Sequence, residues 1–278
     1  MAFDGHDLND YLQSAINVAK AGGELIIETF YKEKSIETKS SSADLVTETD
    51  KAVEKLIFST LKNKYPQHSF IGEESVSDGE AVEYTDNATW MVDPVDGTCN
   101  FVHSFPTVAV SIGLTINKQA VVGVVYNPIL NEMYTAIKGG GAFLNNKPIK
   151  VSGQTELCKS LIIHELGSGR EADKMEINRQ NIHRVVQEGK VHGTRSMGSA
   201  ALNMSFVARG AAEAYFEYGL HCWDYCAATI IVQEAGGCVR DPGGGEVDLM
   251  ARRVIGGSSV KIVEDISKLL TPIEFERD

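Results

Sequence analysis

Four apolar segments between residues 107 and 152 constrain the fold of this chain more than any other feature. In chain order they are TVAVSIGLTI, AVVGVVYN, EMYTAIKG and GAFLNNKPIKV, separated by NKQ, PILN and glycine. Period-two runs rich in β-branched residues are typical of strands, and short separators with Asn, Pro and Gly are typical of tight turns. The segment therefore predicts an antiparallel meander.

Helical periodicity precedes the meander. Residues 7–31 carry apolar or small side chains at intervals of three and four, which is typical of an amphipathic helix. A polar loop, KEKSIETKSSSADLVTETD, leads to a second predicted helix, in which Thr47 stands three residues before Asp50 as an N-terminal cap. Pro66 marks the end of that helix, and the apolar segments in HSFIGEES and ATWMVDP predict two buried strands.

Strand and helix patterns alternate after the meander. Strands are predicted at KSLIIHEL and GCVRDPGG, and helices at a charged segment after Gly169, at AALNMSFVARGAAEAYFE, at HCWDYCAATIIVQEAGG and at KIVEDISKLL. Because each element must bury its apolar face against another, this order predicts an α/β fold of stacked helix and sheet layers. The chain lacks repeats and low-complexity linkers, so we expect one domain over 1–278, with possible halves 1–152 and 153–278.

Composition narrows the classes of partner. With 38 acidic and 26 basic residues, the net charge of −12 argues against a nucleic-acid backbone as the main partner. No apolar run approaches the roughly 20 residues that a membrane helix needs, and the acidic N-terminus is unlike a signal peptide. Five scattered cysteines favour reduced thiols. We therefore expect a soluble cytoplasmic protein with no membrane or nucleic-acid partner.

The stretch WMVDPVDGTCNFVH places two acids at the end of a predicted strand, where ligand sites in α/β sheets usually lie. Asp93 and Asp96 can point to one side of the Pro94 turn, while Gly97 lets the backbone approach a ligand and Thr98 opens a helix whose amides suit an anion. Asp, Pro and Gly are also ordinary turn residues, so this fragment alone fits a turn with a helix cap equally well.

Other acids also stand at element ends. Glu73 and Glu74 follow a short apolar strand, and Asp224 begins an apolar helix. Each has a simpler interpretation, a solvated loop for the two glutamates and a favourable charge at a helix N-terminus for Asp224. If the acids converge they need cations, and a set of oxygen ligands suits Mg²⁺ better than zinc. The glycine-rich stretches match no phosphate-binding loop, because neither continues to Gly-Lys-Ser/Thr.

Several blocks, taken together, resemble one family. GEES, WMVDPVDGTCNFVH and HCWDYCAATIIVQEAGG, in this order, are similar to blocks of the inositol monophosphatases in the lithium-sensitive, Mg²⁺-dependent phosphatase superfamily. DLVTETDKAVEKLI, YPQHSFIGEES, GTRSMGSAALNM and DLMARRVI extend the resemblance over nearly the whole chain. It implies an α-β-α-β-α sandwich and a homodimer.

The resemblance also implies roles for individual residues. Two to three Mg²⁺ ions are expected, and the implied catalytic residues are Asp50, Thr98 and Glu73. Asp50 with Thr98 would orient and deprotonate the attacking water. The implied metal ligands are Glu73, Asp93 and the Val95 carbonyl for the first ion, Asp93, Asp96 and Asp224 for the second, and Glu73 for a weaker third. The implied contacts to phosphate and inositol come from Asp96, Gly97, Thr98, Ser168, Ala200, Glu217 and Asp224.

The implied activity is hydrolysis of myo-inositol monophosphates by metal-activated water, with inhibition by Li⁺. Two metals can activate water on one side of phosphorus and stabilise the leaving alkoxide on the other. One alternative keeps this chemistry for another sugar phosphate, fructose 1,6-bisphosphate or a 3'-phosphorylated nucleotide. Another is a non-catalytic ion-binding or scaffolding protein with the same fold.

Overall fold

The computed structural model describes residues 2–34, 36–38, 45–81 and 83–278. Residues 35 and 39–44 of the predicted polar loop lie outside the described residues. The helices are α1 (Leu8–Thr29), α2 (Glu48–Lys64), α3 (Glu73–Ser77), α4 (Thr98–Val102), α5 (Ala172–Gln187), α6 (Ala200–Ala208), α7 (Cys222–Glu234) and α8 (Val260–Ser267). The strands are β1 (Ala2–Phe3), β2 (His6–Asp7), β3 (Ile36–Thr38), β4 (Leu45–Thr47), β5 (Ser69–Gly72), β6 (Thr89–Asp96), β7 (Ala109–Ile116), β8 (Gln119–Asn127), β9 (Glu132–Ile137), β10 (Gly141–Leu144), β11 (Lys147–Ile149), β12 (Leu161–His164), β13 (Gly193–Arg195), β14 (Ala214–Tyr218), β15 (Cys238–Arg240) and β16 (Arg253–Gly257).

The first two helices form as the sequence predicts. Asp7 caps α1 by accepting a hydrogen bond from the Asn9 amide, and α1 buries one apolar stripe. Thr47 caps α2, and Asp50 returns a bond to the Thr47 amide at 3.0 Å, so the predicted capping box is confirmed. The helix ends at Lys64, two residues before Pro66.

The meander is confirmed. Within the described residues the larger sheet has the order β11-β10-β9-β8-β7-β6-β5, with neighbours antiparallel from β6 to β11 and β5 parallel to β6. All of β7 is buried, because helices cover both faces of the sheet. Gly113 and Gly123 permit the close approach of α7, since an added Cβ would lie 2.5 Å from the Cys226 sulfur and 2.3 Å from the Ala227 carbonyl oxygen, respectively.

Three apolar clusters establish the layers. One packs α1 and α2 against the outer face of the larger sheet, and the second packs α6 and α7 between the sheets. The third joins the outer face of the smaller sheet, of order β13-β12-β14-β16-β15, to α5 and α8. The predicted α-β-α-β-α sandwich is confirmed. None of the described helices is both long and apolar enough to cross a membrane.

The predicted helix at AALNMSFVARGAAEAYFE is wrong in its second half. Helix α6 ends at Ala208, near Gly210 with a φ of +75°, and Ala214–Tyr218 forms β14. The side chains of β14 alternate, with Phe216 in the cluster of α5 and α8 and Tyr215 in that of α6 and α7. The sequence analysis also missed β16, which pairs with β14, and the β3–β4 pairing inside the polar loop.

A buried histidine gives the fold a pH dependence that can be measured. His68 is 8% exposed, accepts a hydrogen bond from Trp90 Nε1 at 3.0 Å and stacks on Tyr65. Burial, with a smaller contribution from His6, lowers the pKa of His68 to about 4. The unfolded chain, with a histidine pKa near 6.5, binds more protons between these values, so stability falls as pH falls from about 6.5 to about 4.

We expect His68→Asn to remove this dependence, because the asparagine oxygen can accept the Trp90 bond but does not titrate. Denaturant unfolding at pH 7 and at pH 5 measures the free energy of unfolding. Between these two pH values the wild type should lose about 1–2 kcal/mol more of it than the variant does. Comparing the change in unfolding free energy with pH, rather than the free energy itself, cancels the destabilisation that the smaller side chain causes at every pH. Equal losses in the two proteins would show that His68 does not control acid stability.

Candidate active site

A cavity of about 450 Å³ opens between the two sheets. Parallel pairing of β5 with β6 brings Gly72 beside Val92, so Glu73 and Asp93 leave the larger sheet at the same edge. Helices α4 and α7 begin at this cavity as well. The cavity is lined by nearly all the residues that the sequence analysis singled out, namely Glu73, Asp93, Val95, Asp96, Gly97, Thr98, Ser168, Ala200, Glu217 and Asp224.

The two aspartates of β6 are held by separate sets of backbone amides. Asp93 accepts a bond from the Val95 amide at 2.9 Å, within the turn that shifts the strand register. Asp96 accepts from the Ser199 hydroxyl at 2.6 Å and from the Ala200 and Ala201 amides at 3.1 and 2.7 Å. Asp96 therefore caps the start of α6 as well as lining the cavity.

The turn after Asp96 requires glycine. Gly97 has a φ of +92°, and an added Cβ would lie 2.9 Å from the carbonyl oxygens of Gly198 and Thr107. Thr98 follows as the first residue of α4, and its hydroxyl lies 3.2 Å from Asp50 Oδ1 and 3.1 Å from the Val95 carbonyl oxygen. The turn thus presents its backbone and the Thr98 side chain to the cavity.

Asp50 stands behind Thr98, where it is fully buried. Its second oxygen accepts bonds from the amide and the hydroxyl of Thr47. Burial raises the pKa of Asp50 to about 6, the Thr47 hydroxyl opposes this shift, and the charge of Glu73 adds to it. A carboxyl group of this kind changes protonation near neutral pH, which is the property of a general base.

Asp224 lies in the first turn of α7 and accepts a bond from the His221 amide at 2.7 Å. The simpler interpretation of this residue, as a stabiliser of its helix N-terminus, is therefore correct, and it is compatible with a place in the cavity. The same end of α7 is fixed by Asp278, which accepts from the Cys222 amide at 2.9 Å and lies 2.6 Å from His221 Nδ1.

The carboxylates raise one another's pKa values. Burial and then the charges of Glu73, Asp96 and Asp224 raise the pKa of Asp93 well above its usual range. Burial raises the pKa of Asp96 to about 7 and that of Asp224 to about 6. Such a group of acids favours a bound cation, because a cation stabilises every charged form at once.

Another wall of the cavity is built on the smaller sheet. Glu217 in β14 is buried and accepts a bond from the Tyr215 hydroxyl. Burial, and then the charge of Glu165, raises the pKa of Glu217 well above its usual range. Ser168 and Ala200 also line the cavity. The structure thus brings ten of the predicted residues to the cavity wall and places Asp50 behind Thr98.

A model of the inositol monophosphatase family matches residues 7–272. The chain belongs to this family. Inositol monophosphatase 1 of Rattus norvegicus is 48% identical to it over 278 residues, 100% of this chain and 99% of the relative.

Solved inositol monophosphatases share the fold. The protein from Anabaena (Nostoc) sp. has 31% identity and a TM-score of 0.80, with 96% of this chain and 99% of the other covered. SaIMPase-II, solved with bound inositol monophosphate, has 28% identity to this chain and a TM-score of 0.77. That comparison covers 92% of this chain and 91% of the other.

The sequence analysis missed several residues that build this inositol monophosphatase site. Ser199 holds Asp96, Tyr215 holds Glu217, and Glu165 lines the cavity beside them. Ser199 carries a local signal, since serine before a small-residue helix is a typical N-terminal cap, and it does cap α6. Glu165 also had a signal, because it follows the predicted strand KSLIIHEL as Glu73 follows β5.

Proposed function

We propose that this protein is a Mg²⁺-dependent phosphomonoesterase that hydrolyses myo-inositol monophosphates to myo-inositol and phosphate. The observation that carries the proposal is the convergence of Glu73, Asp93, Asp96 and Asp224 with the Gly97–Thr98 turn and Glu217 on one cavity. Family membership and the relative solved with inositol monophosphate support the same substrate class.

The donor set fits Mg²⁺, because carboxylate and carbonyl oxygens are the protein ligands that this hard ion prefers. We propose that Glu73, Asp93 and the Val95 carbonyl hold one ion, that Asp93, Asp96 and Asp224 hold a second, and that Glu73 contributes to a weaker third. The mutual rise of the pKa values supports this, since bound cations offset the repulsion. Among the described residues, no group of three or more His, Cys, Asp or Glu side chains already has the geometry of a metal-binding cluster.

The bound ions would supply positive charge to offset that of the phosphate and would acidify a water molecule. The remaining steps belong to the protein. The amides of Gly97 and Thr98 would donate to phosphate oxygens. The Thr98 hydroxyl donates towards Asp50 at 3.2 Å, which leaves its oxygen free to accept a proton from the attacking water. Asp50, with its pKa raised to about 6, would receive the displaced proton.

The leaving alcohol would lie on the opposite wall. Glu217 has one oxygen held by Tyr215, and this bond fixes the orientation of the carboxylate towards the cavity. We propose that Glu217 accepts hydrogen bonds from inositol hydroxyls, and that Ser168 and Ala200 complete the pocket. Asp96 and Asp224 would also line the substrate pocket.

Three broader properties are part of the proposal. We propose one domain, because α6 and α7 contact both sheets. We propose a homodimer, as the family resemblance implies. We also propose a cytoplasmic location, which the five free thiols of Cys99, Cys158, Cys222, Cys226 and Cys238 favour.

A panel of phosphate esters tests this function. We expect Mg²⁺-dependent phosphate release from myo-inositol monophosphates at a higher kcat/KM than from fructose 1,6-bisphosphate or a 3'-phosphorylated nucleotide. Millimolar Li⁺ should inhibit uncompetitively by taking a metal site. A preference for either alternative ester would correct the substrate, whereas undiminished turnover in Li⁺ would count against the ion arrangement.

A further inference from the structure

We propose that Glu165 is a second substrate-binding acid, whose carboxylate acts together with Glu217 to accept hydrogen bonds from neighbouring hydroxyls of the polyol. This inference deepens the proposed function and rests on it. It assigns a role in alcohol specificity to a residue outside the proposed metal, phosphate and ring contacts.

The strand register places the two glutamates side by side. Strands β12 and β14 run parallel, and their last register pair is His164 with Phe216. Glu165 directly follows the last residue of β12 and Glu217 is the next residue of β14, and neighbouring strands lie about 4.8 Å apart. Both residues line the cavity. The charge of Glu165 is accordingly the largest electrostatic influence on Glu217.

One oxygen of Glu165 is fixed by the protein. Its Oε1 accepts bonds from the Met197 amide at 2.6 Å, the Gly198 amide at 2.7 Å and Asn203 Nδ2 at 3.0 Å. These bonds hold the carboxylate rigidly and tie it to the loop that closes over Gly97. A side chain fixed in this way loses little conformational freedom when a ligand binds.

The other oxygen is left for a ligand. Among the described residues Oε2 of Glu165 has no hydrogen-bond partner, and it is not one of the buried polar atoms that lack one, so it is exposed to solvent. Because Glu165 lines the cavity, this oxygen is the one available to a ligand there. Glu217 shows the same division in the described part of the chain, where its Oε2 accepts a bond from Tyr215 and its Oε1 accepts none. Each glutamate therefore offers one anchored and one open acceptor.

The two unbonded oxygens of Glu165 and Glu217 determine which chemical groups can bind beside them. They repel an anionic group and suit hydroxyl hydrogens, and two acceptors at strand spacing suit hydroxyls on adjacent carbons. Burial raises the pKa of both glutamates, and where one of them is protonated the ionised partner still accepts a charge-assisted bond, which is stronger than a bond between neutral groups. A polyol is therefore favoured over an alcohol without neighbouring hydroxyls.

Glu165→Gln tests this role while keeping the loop in place. The glutamine oxygen can still accept from Met197 and Gly198, but the open acceptor becomes an NH₂ donor. The measured quantity is the ratio of kcat/KM for myo-inositol 1-phosphate to kcat/KM for phenyl phosphate, which has no hydroxyls to bind. We expect this ratio to fall about 10- to 100-fold, mainly through KM, as for loss of a hydrogen bond to a charged group. Glu188→Gln, which changes an exposed acid directly after α5, should leave the ratio unchanged.

Single-deoxy inositol phosphates give a second readout that does not depend on how well the variant folds. In the wild type, removing the hydroxyl that meets Glu165 should lower kcat/KM, and in Glu165→Gln the same removal should have little further effect. A ratio that stays within about twofold of wild type, with full sensitivity to every deoxy analogue, would overturn the role of Glu165 alone. A wild type that releases phosphate from neither ester would instead overturn the proposed function, and this inference with it.

Discussion

Asp93→Asn is expected to lower kcat/KM for Mg²⁺-dependent phosphate release at least about 10³-fold, because a carboxylate shared by two ions is worth several kcal/mol of charge stabilisation in the transition state. The asparagine oxygen can still accept the Val95 amide bond, so the turn should keep its shape. Initial rates over a Mg²⁺ titration measure the effect. Asp173→Asn, an exposed acid in the first turn of α5, provides the matched control and should keep wild-type rates.

Thermal unfolding separates loss of the ion from loss of the fold. Without Mg²⁺, Asp93→Asn should have a higher Tm than the wild type, because it removes a carboxyl group whose ionised form is disfavoured by burial and by the charges of Glu73, Asp96 and Asp224. Saturating Mg²⁺ should reverse the order, since ligand binding stabilises only the protein that binds it. Full activity in Asp93→Asn would refute the metal assignment, and a collapsed Tm in both conditions would point to a structural role.

Asp50→Asn is expected to lower kcat about 10²- to 10⁴-fold with little change in KM, the usual effect of removing a general base. Its amide can donate to Thr98 and accept from Thr47, so the geometry survives while the proton acceptor is lost. Thr98→Val, which is close to isosteric, should lower kcat by a similar factor because it removes the hydroxyl between water and Asp50. Thr98→Ser keeps that hydroxyl and serves as the control.

The double variant decides whether the two residues act as one relay. If the proton passes from water through Thr98 to Asp50, Asp50→Asn combined with Thr98→Val should lose little more than either single variant. Multiplicative losses would mean that the residues act independently. Rates and unfolding should be measured together, because Asp50 also completes the cap of α2.

Local pattern predicts much of this fold. The meander is predicted by apolar segments and turn residues that follow one another closely along the chain. Thr47 caps α2 because a threonine three residues before an acid can form a capping box that satisfies two backbone amides. The pattern fails at β14, where AEAYFE suits a helix as well as a strand. Only pairing with β12 and β16, set by residues far along the chain, decides for the strand. The sequence analysis missed β16 for the same reason.

The sequence predicts the acids that line the candidate site better than the residues that hold those acids in place. Asp93, Asp96 and Glu73 can be picked out because acids after apolar strands are conspicuous, and parallel pairing then brings Glu73 to the edge beside Asp93. The donors that hold the site come from distant positions. Ser199 reaches Asp96 across 103 residues, and Asp278 reaches His221 across 57. The spacing of apolar and polar residues within a short segment does not predict such contacts, because they form only when the layers pack together.

The most direct test joins calorimetric Mg²⁺ titration with phosphate release from myo-inositol 1-phosphate in the same sample of wild-type protein. Occupancy and rate should rise together, and both should be lost in Asp93→Asn. Mg²⁺ binding without any turnover of the ester would contradict the account and indicate a non-catalytic ion-binding protein with this fold.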